Sequence, residues 1–406
     1  MHNWQADFPF HQHHPQLVYL DSAATCQQPQ VVLDAMQDYV IHQHANAHRG
    51  AHGRARAATQ AYEDARTRVA AFIGADASNL AFTASTTAAL NQLTTAAIDW
   101  QAGDEIVISA SEHHANILPW QRLAERLALT LRVIPVSSGT GQLIEPEQYL
   151  GPRTRVLAIT MASNVTGVVN DLASLCKAAR AKGIRTFIDA AQAAAHVPIN
   201  VAELGCDALA FSAHKVYGPT GIAALYMRPE LWQTMPPQNL GGGIVETVTF
   251  TSSELISSIQ KFEAGTPNVS AAVGFSAALD WLQQTQQAGA GRYLRNLQQK
   301  LIAALQQRPQ LELLPSDPNG TPIVSFYSQA FHCHDLALLL AEQDIAVRAG
   351  HHCAQPLLQH WQIPGVVRLS LGLTVTEQQL TQTLVALDKA MALLAETGPL
   401  TESDEA

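Results

Sequence analysis

Six short runs of apolar residues between Asn79 and Met227, namely NLAFT, EIVISA, RVLAIT, RTFID, DALAFS and IAALYM, alternate with segments of helical composition. The runs stay apolar at successive positions instead of alternating with polar residues. That is the pattern of strands whose two faces are both covered by helices. Ser111–Leu127 and Asp171–Gly183 are the intervening helical stretches named by composition, the second stopped by a glycine. The chain is therefore expected to form an α/β domain around a mostly parallel sheet. Ligands in such sheets bind at the carboxyl ends of the strands, so the residues that follow each run are where chemistry is sought.

Beyond Asp280 the pattern changes. A polar helix is expected at Arg292–Gln307, strands near Leu311 and at Ile323–Tyr327, a helix at Asp335–Gln343, strands at Ile345–Arg348 and Val367–Leu371, and a long helix at Glu377–Glu396. This mixture reads as a smaller α+β domain. The boundary is expected in the Gln-rich stretch Gln283–Gly291, giving a large domain over 22–282 and a small domain of 1–21 with 283–406. The acidic tail TESDEA is expected to fray.

Composition excludes several functions. With 406 residues the chain is long enough for two or three domains at about 100–200 residues each. Its formal net charge of -10, without a segregated basic patch, opposes binding to nucleic acid. No apolar run of about 18 residues is present to span a membrane, and the His-rich start lacks a secretory pattern. Five cysteines (Cys26, Cys176, Cys206, Cys333, Cys353), an odd number without C-x-x-C spacing, argue against a disulfide framework or zinc ribbon and for a reducing cytoplasm. No metal site is expected.

Five segments carry chemistry. FSAHKVYGPTG places Ser212, His214 and Lys215 directly after an apolar run; Lys215 is either a solvated loop lysine or a nucleophilic Schiff-base lysine. FIDAAQ ends its run at Asp189, which could cap a helix or hold the proton of a pyridine nitrogen. TASTTAALN leads a strand into a helix whose first turn offers Thr86 and Thr87, an ordinary cap or a phosphate cradle. EHHAN follows another run; its histidines lack the spacing of a helical metal site and fit an imidazole stacked on a cofactor ring better, while the bland reading of this pair and of the N-terminal HQHH cluster is as solvated surface residues. RAGHHCAQP sets Cys353 in a His- and Gly-rich loop, flexible by composition, where a neighbouring imidazolium would expose the thiolate. Arg368 follows in an apolar strand, where its charge needs a bidentate carboxylate. Cys176 and Cys206 read as core fillers.

Together with YLDSAAT at Tyr19–Thr25, SNVTG, FEAGTPN at Phe262–Asn268 and RLSLG at Arg368–Gly372, these motifs run in order along nearly the whole chain. In them the chain resembles the pyridoxal-phosphate-dependent cysteine desulfurases, in the second group that includes SUF-type enzymes and cysteine sulfinate desulfinases. The resemblance implies a fold-type-I architecture and a homodimer in which each site borrows residues from the other subunit. It implies that Lys215 binds the cofactor covalently, Asp189 pairs with the pyridine nitrogen, Gln192 bonds the ring hydroxyl and His113 stacks on the ring. Thr86, Thr87, Ser212 and His214 would hold the phosphate, with Thr266 arriving from the partner subunit. Asn164, Arg368 and Arg348 would fix the substrate carboxylate, and Cys353 would accept sulfur from L-cysteine as a persulfide for delivery to an acceptor protein. Cysteine sulfinate and selenocysteine are further expected substrates, and iron–sulfur cluster assembly is one destination for the sulfur.

Three departures from the family pattern stand out. R-G-T-T-E is replaced by Ala84, Ser85, Thr86, Thr87 and Ala88, removing an Arg and a Glu from a dimer-contact charge network. D-G-A-Q becomes Asp189, Ala190, Ala191, Gln192, adding a methyl group in a tight place. Y-N-T becomes Leu373, Thr374, Val375, a change expected on the substrate side of the pocket. Two alternatives stand beside the desulfurase: another class V lyase or epimerase that does not use Cys353, and a non-catalytic scaffold of the same fold. Intact Lys215, Asp189 and Cys353 count against the scaffold.

Overall fold

The computed structural model describes residues 3–48 and 50–397; the TESDEA tail lies outside them. Strands Leu80–Thr83 (β1), Glu105–Ser109 (β2), Thr130–Ile134 (β3), Thr154–Thr160 (β4), Arg185–Asp189 (β5), Ala208–Ser212 (β6) and Ala223–Met227 (β7) form one sheet ordered β1-β7-β6-β5-β4-β2-β3. β7 runs antiparallel to both of its neighbours, and the pairings from β6 to β3 are all parallel. This is the mostly parallel α/β sheet expected from the apolar runs.

The alternation of side chains along each strand divides those runs between two cores. Val107, Leu157, Ile188 and Leu209 join a cluster that continues into the C-terminal part of the chain. Ile106, Val156, Phe187 and Ala208 face a second cluster with Leu90 and Trp120. Each fully buried aliphatic or aromatic side chain stabilises the fold by about 1.5–3 kcal/mol, so both faces of the sheet are held.

The C-terminal part carries Glu312–Leu313 (β8), Ile323–Tyr327 (β9), Arg348–Gly350 (β10) and Val366–Ser370 (β11), an antiparallel sheet ordered β8-β9-β11-β10. The N-terminal strand Val18–Tyr19 pairs in parallel with Ile345–Ala346, and Asp21 bridges Ser370. The start of the chain is thus tied to its end.

Some local expectations are corrected. β3 was not anticipated. The Ser111–Leu127 helix begins only at Leu118, after a 3-10 turn at His114–Asn116. The Ile345–Arg348 strand is interrupted at Val347. The Gln-rich stretch is no open linker: helix Val269–Gln287 runs through most of it, and only Ala288 and Gly289 precede helix Ala290–Leu305. Gly274 in the first of these helices packs closely on helix Gln30–Asp38: a Cβ there would come within 2.7 Å of the Met36 side chain, which would have to shift.

Candidate active site

The strand register gathers the carboxyl ends of the sheet. Thr160 pairs with Asp189 at the ends of β4 and β5, and β6 ends at Ser212, immediately before the 3-10 turn Ala213–Lys215. These ends open on a cavity of about 210 Å³. Lys215, Asp189, Gln192, His113, Thr86, Thr87, Ser212 and His214 all line it, as do Asn164, Arg348, Cys353 and Arg368 from the surrounding loops and the C-terminal sheet.

Burial controls the charges at its base. Desolvation lowers the pKa of Lys215, opposed by the nearby Asp189 carboxylate. Desolvation likewise raises the pKa of Asp189, against the hydrogen bond from the Ala191 N–H to its Oδ1 (2.9 Å) and the charge of Lys215. Burial, with the charge of Lys215 in support, brings His113 down to about 4, so its ring is neutral near pH 7. The Ala115 N–H donates to His113 Nδ1 (3.0 Å), which leaves the ring proton on Nε2.

One wall is made of hydroxyls. Helix Thr86–Leu93 begins there, capped by Ser85, whose Oγ accepts from the Ala88 N–H (3.1 Å). Ser212 Oγ accepts from the Thr86 N–H (2.9 Å) and lies 2.6 Å from Thr86 Oγ1. His214 stands beside them, its buried Nδ1 without a hydrogen-bond partner among the described residues. Helix N–H groups, three hydroxyls and an imidazole form an anion cradle.

The opposite wall comes from the C-terminal part. Arg368 is buried; its guanidinium donates to Asn164 O (2.9 Å) and to Asp21 Oδ1 (2.9 Å), while Nε has no partner among the described residues. The expected bidentate carboxylate is therefore replaced by one carboxylate oxygen and one carbonyl, with a donor left over. Asn164 Nδ2 donates to His352 O (2.7 Å), and the Cys353 carbonyl accepts from the His114 N–H (2.7 Å). The cysteine loop is thus pinned, contrary to its flexible composition. His352 and Cys353 both adopt left-handed backbone, φ +52° and +56°, which is uncommon for residues with a Cβ. Nor does His352 supply an imidazolium, since burial brings it down to about 3. Arg368 interacts electrostatically with Cys353.

Thr266 does not reach this cavity. It is exposed and lines a neighbouring groove with His48 and Glu263. Leu373, Thr374 and Val375 are buried away from the cavity: the Leu373 N–H donates to Tyr217 Oη and Val375 O accepts from Tyr293 Oη. That departure bears on packing rather than on the substrate side. Ala190 is fully buried with a backbone any residue can adopt, so its methyl group is accommodated. His11 of the N-terminal cluster is buried instead of solvated. Sequence reasoning missed His352, which the doubled histidine next to Cys353 signalled, and Glu112, hidden within EHHAN.

The donor set fits pyridoxal 5′-phosphate. The anion cradle with the orphaned His214 Nδ1, the desolvated amine and the buried carboxylate match its phosphate, carbonyl and ring nitrogen respectively.

Comparison with known proteins agrees with the geometry. The Aminotransferase class-V family profile matches residues 18–383. A probable cysteine desulfurase of Pseudomonas aeruginosa is 43% identical, covering 96% of this chain and 98% of its own, and one of Vibrio cholerae is 41% identical, covering 93% and 94%. Among solved structures, the apo cysteine desulfurase of Thermococcus onnurineus superposes with a TM-score of 0.90 at 33% identity, covering 96% and 97%. The cysteine desulfurase CsdA of Escherichia coli gives 0.88 at 36%, covering 96% and 98%. With strand-end lysine, aspartate and loop cysteine meeting in one cavity, and likeness spanning nearly the full length of these relatives, the chain belongs to the class V aminotransferase family and, within it, to the cysteine desulfurases.

Proposed function

We propose that the protein is a pyridoxal 5′-phosphate-dependent enzyme that converts L-cysteine to L-alanine and retains the sulfur on Cys353. The observation that carries this reading is the meeting in one cavity of a desolvated lysine, a buried carboxylate and a thiol from the opposite wall. Thr86, Thr87, Ser212 and His214 would hold the phosphate, Asp189 the ring nitrogen, Gln192 the ring hydroxyl and Lys215 the carbonyl carbon, with His113 against the ring. When bound, the cofactor withdraws electrons from the substrate Cα and makes its C–H bond acidic. Lys215, with its lowered pKa, takes that proton as general base. Arg368 and Asn164, with Arg348 at the rim, orient the substrate carboxylate. The Cys353 thiolate attacks the substrate Sγ. A sulfur–sulfur bond forms, and the Sγ–Cβ bond breaks with its electron pair left on the carbon fragment, which takes up a proton at Cβ, regains at Cα the proton held by Lys215, and departs as alanine.

The persulfide is then passed to an acceptor protein, with iron–sulfur cluster assembly as one destination. Selenocysteine enters by the same route, whereas cysteine sulfinate would shed its oxidised sulfur without needing Cys353. The working unit is a homodimer. In support, Thr266 is exposed outside its own chain's cavity, and Phe250 is fully exposed at the tip of the hairpin formed by Val245–Val248 and Ser253–Leu255. Residues 22–282 form the large domain, and 1–21 with 283–406 the small one; pairing of Val18–Tyr19 with Ile345–Ala346 supports joining the two termini. Five free thiols, four of them buried, suit a reducing cytoplasm.

Brief exposure to cysteine followed by mass spectrometry should add one sulfur atom to Cys353, and borohydride should fix the cofactor on Lys215. Alanine formation undiminished in Cys353→Ala would overturn the sulfur-transfer step in favour of a lyase or epimerase. A protein that takes up no cofactor would overturn the whole reading.

A further inference from the structure

At the end of β2 lies a carboxylate that the reaction above does not use. Glu112 is fully buried. Its Oε1 is 2.5 Å from Ser109 Oγ and accepts from the Thr160 N–H (2.9 Å); its Oε2 accepts from Asn116 Nδ2 (2.7 Å). No basic side chain contributes to these bonds, so the carboxyl is held by neutral donors, an expensive arrangement for an acid in an apolar site. Burial pushes its pKa up to about 7, with the neighbouring Asp189 adding to the rise and the three hydrogen bonds opposing it.

The polarity of the network is fixed. The Trp120 indole N–H can only donate, and does so to Asn116 Oδ1 (3.0 Å), which forces the amide nitrogen of Asn116 toward Glu112. The Thr160 backbone N–H can also only donate. Both oxygens of residue 112 must therefore accept, and only the Ser109 hydroxyl can reverse its role. The residues joined are the ones that place the site. His113 follows Glu112 directly in the chain, while Thr160 Oγ1 donates to Asp189 O (3.4 Å) and the Met161 N–H to the same oxygen (2.8 Å).

We propose that Glu112 is a positioning residue, which sets His113 and Asp189 relative to one another by tying the His113 turn to the end of β4. The proposal rests on the reading of this cavity as the pyridoxal phosphate site. Glu112→Gln is the sharpest test: it keeps the volume but presents an amide N–H2 to a fixed donor on one side, so one link must break.

The measurements are cofactor content, visible circular dichroism per bound cofactor, and kcat and KM for cysteine, on the cofactor-loaded protein. Glu112→Gln should bind cofactor, lose at least half of the dichroism per cofactor, and lose about tenfold or more in kcat with KM changed less than about threefold, because misplacement by a fraction of an ångström acts on the reacting geometry. Asn116→Ala and Ser109→Ala each cut one link and should change the same quantities in the same direction by smaller factors; they serve as the test if Glu112→Gln does not fold. Normal dichroism per bound cofactor, with turnover falling only as cofactor content falls, would mean a purely structural role and overturn the proposal. A wild-type protein that takes up no cofactor would instead overturn the underlying site assignment.

Discussion

Glu263 of the FEAGTPN segment should be among the costliest side chains to remove, although it lies outside the catalytic cavity. Its Oε1 accepts from Arg66 Nη1 (2.5 Å) and the Phe82 N–H (2.6 Å), and its Oε2 from Arg66 Nη2 (2.8 Å) and Tyr62 Oη (3.0 Å). The Arg66 side chain is 1% exposed, and its remaining carboxylate partner, Glu63, is 33% exposed. Glu263→Ala strands a buried guanidinium with that one wetter partner and leaves the Phe82 N–H without its acceptor. Breaking a buried pair from one side costs about 3–5 kcal/mol. Removing both charges abolishes that cost; the Phe82 N–H is unpaired in either variant, and the group newly left without a partner is the Leu80 carbonyl, about 1–3 kcal/mol. Glu263→Leu combined with Arg66→Met should therefore be about 2 kcal/mol more stable than Glu263→Ala. Equilibrium urea unfolding of Glu263→Leu, Arg66→Met and their combination forms the cycle that isolates the pair, with Glu263→Ala measured beside it. A loss below about 1 kcal/mol in Glu263→Ala, or a double variant as unstable as the sum of its singles, would refute the argument.

Acid should destabilise the protein through its buried neutral imidazoles. His113 and His214 fall to about 4 and His352 to about 3; below pH 6.5 the unfolded chain takes up protons that the folded chain refuses. Each therefore lowers stability by about 1.4 kcal/mol per pH unit from 6.5 down toward its folded value, while Glu112, raised to about 7, acts in the opposite sense between 7 and its unfolded value. His352→Gln keeps a donor for Val366 O and should flatten the decline by one proton's worth in thermal unfolding at pH 7, 6 and 5; an unchanged slope would contradict it. Ala190→Gly, which restores the family pattern, should lower stability by about 1–2 kcal/mol through a lost buried methyl group and a more flexible unfolded chain. A rise in melting temperature would show that the methyl group is strained.

What could be read from the sequence depended on contrast. Strands β2, β4, β5, β6 and β7 were legible because a short, uninterrupted apolar run between polar helical segments suits a strand covered on both faces and little else. Lys215 and Asp189 were legible because they end such runs. Strand β3 was not, since it lies at the sheet edge and carries exposed or half-buried Thr130, Leu131, Arg132 and Val133. Helix Gly53–Phe72 was not legible because it packs largely through alanines, which mark no clear apolar stripe. Glu112 could not be inferred at all. Its role exists only through Thr160, 48 residues further along, which the sheet register brings beside it. The FEAGTPN motif, opaque in isolation, owes its glutamate to the depth at which Glu263 meets Arg66.

The bond between Asp21 and Arg368 spans 347 positions of the chain. During synthesis at about 5–20 residues per second, the amino-terminal segment emerges roughly 17–70 s before its partners exist. Val18 and Leu20, buried in the finished molecule, must wait in solution for that interval. The large sheet can collapse while the ribosome is still working, but the wall that carries Arg368 and Cys353 closes only after release of nearly the whole polypeptide. The wall that carries Cys353 is thus completed last, and a nascent chain cannot present the closed cavity.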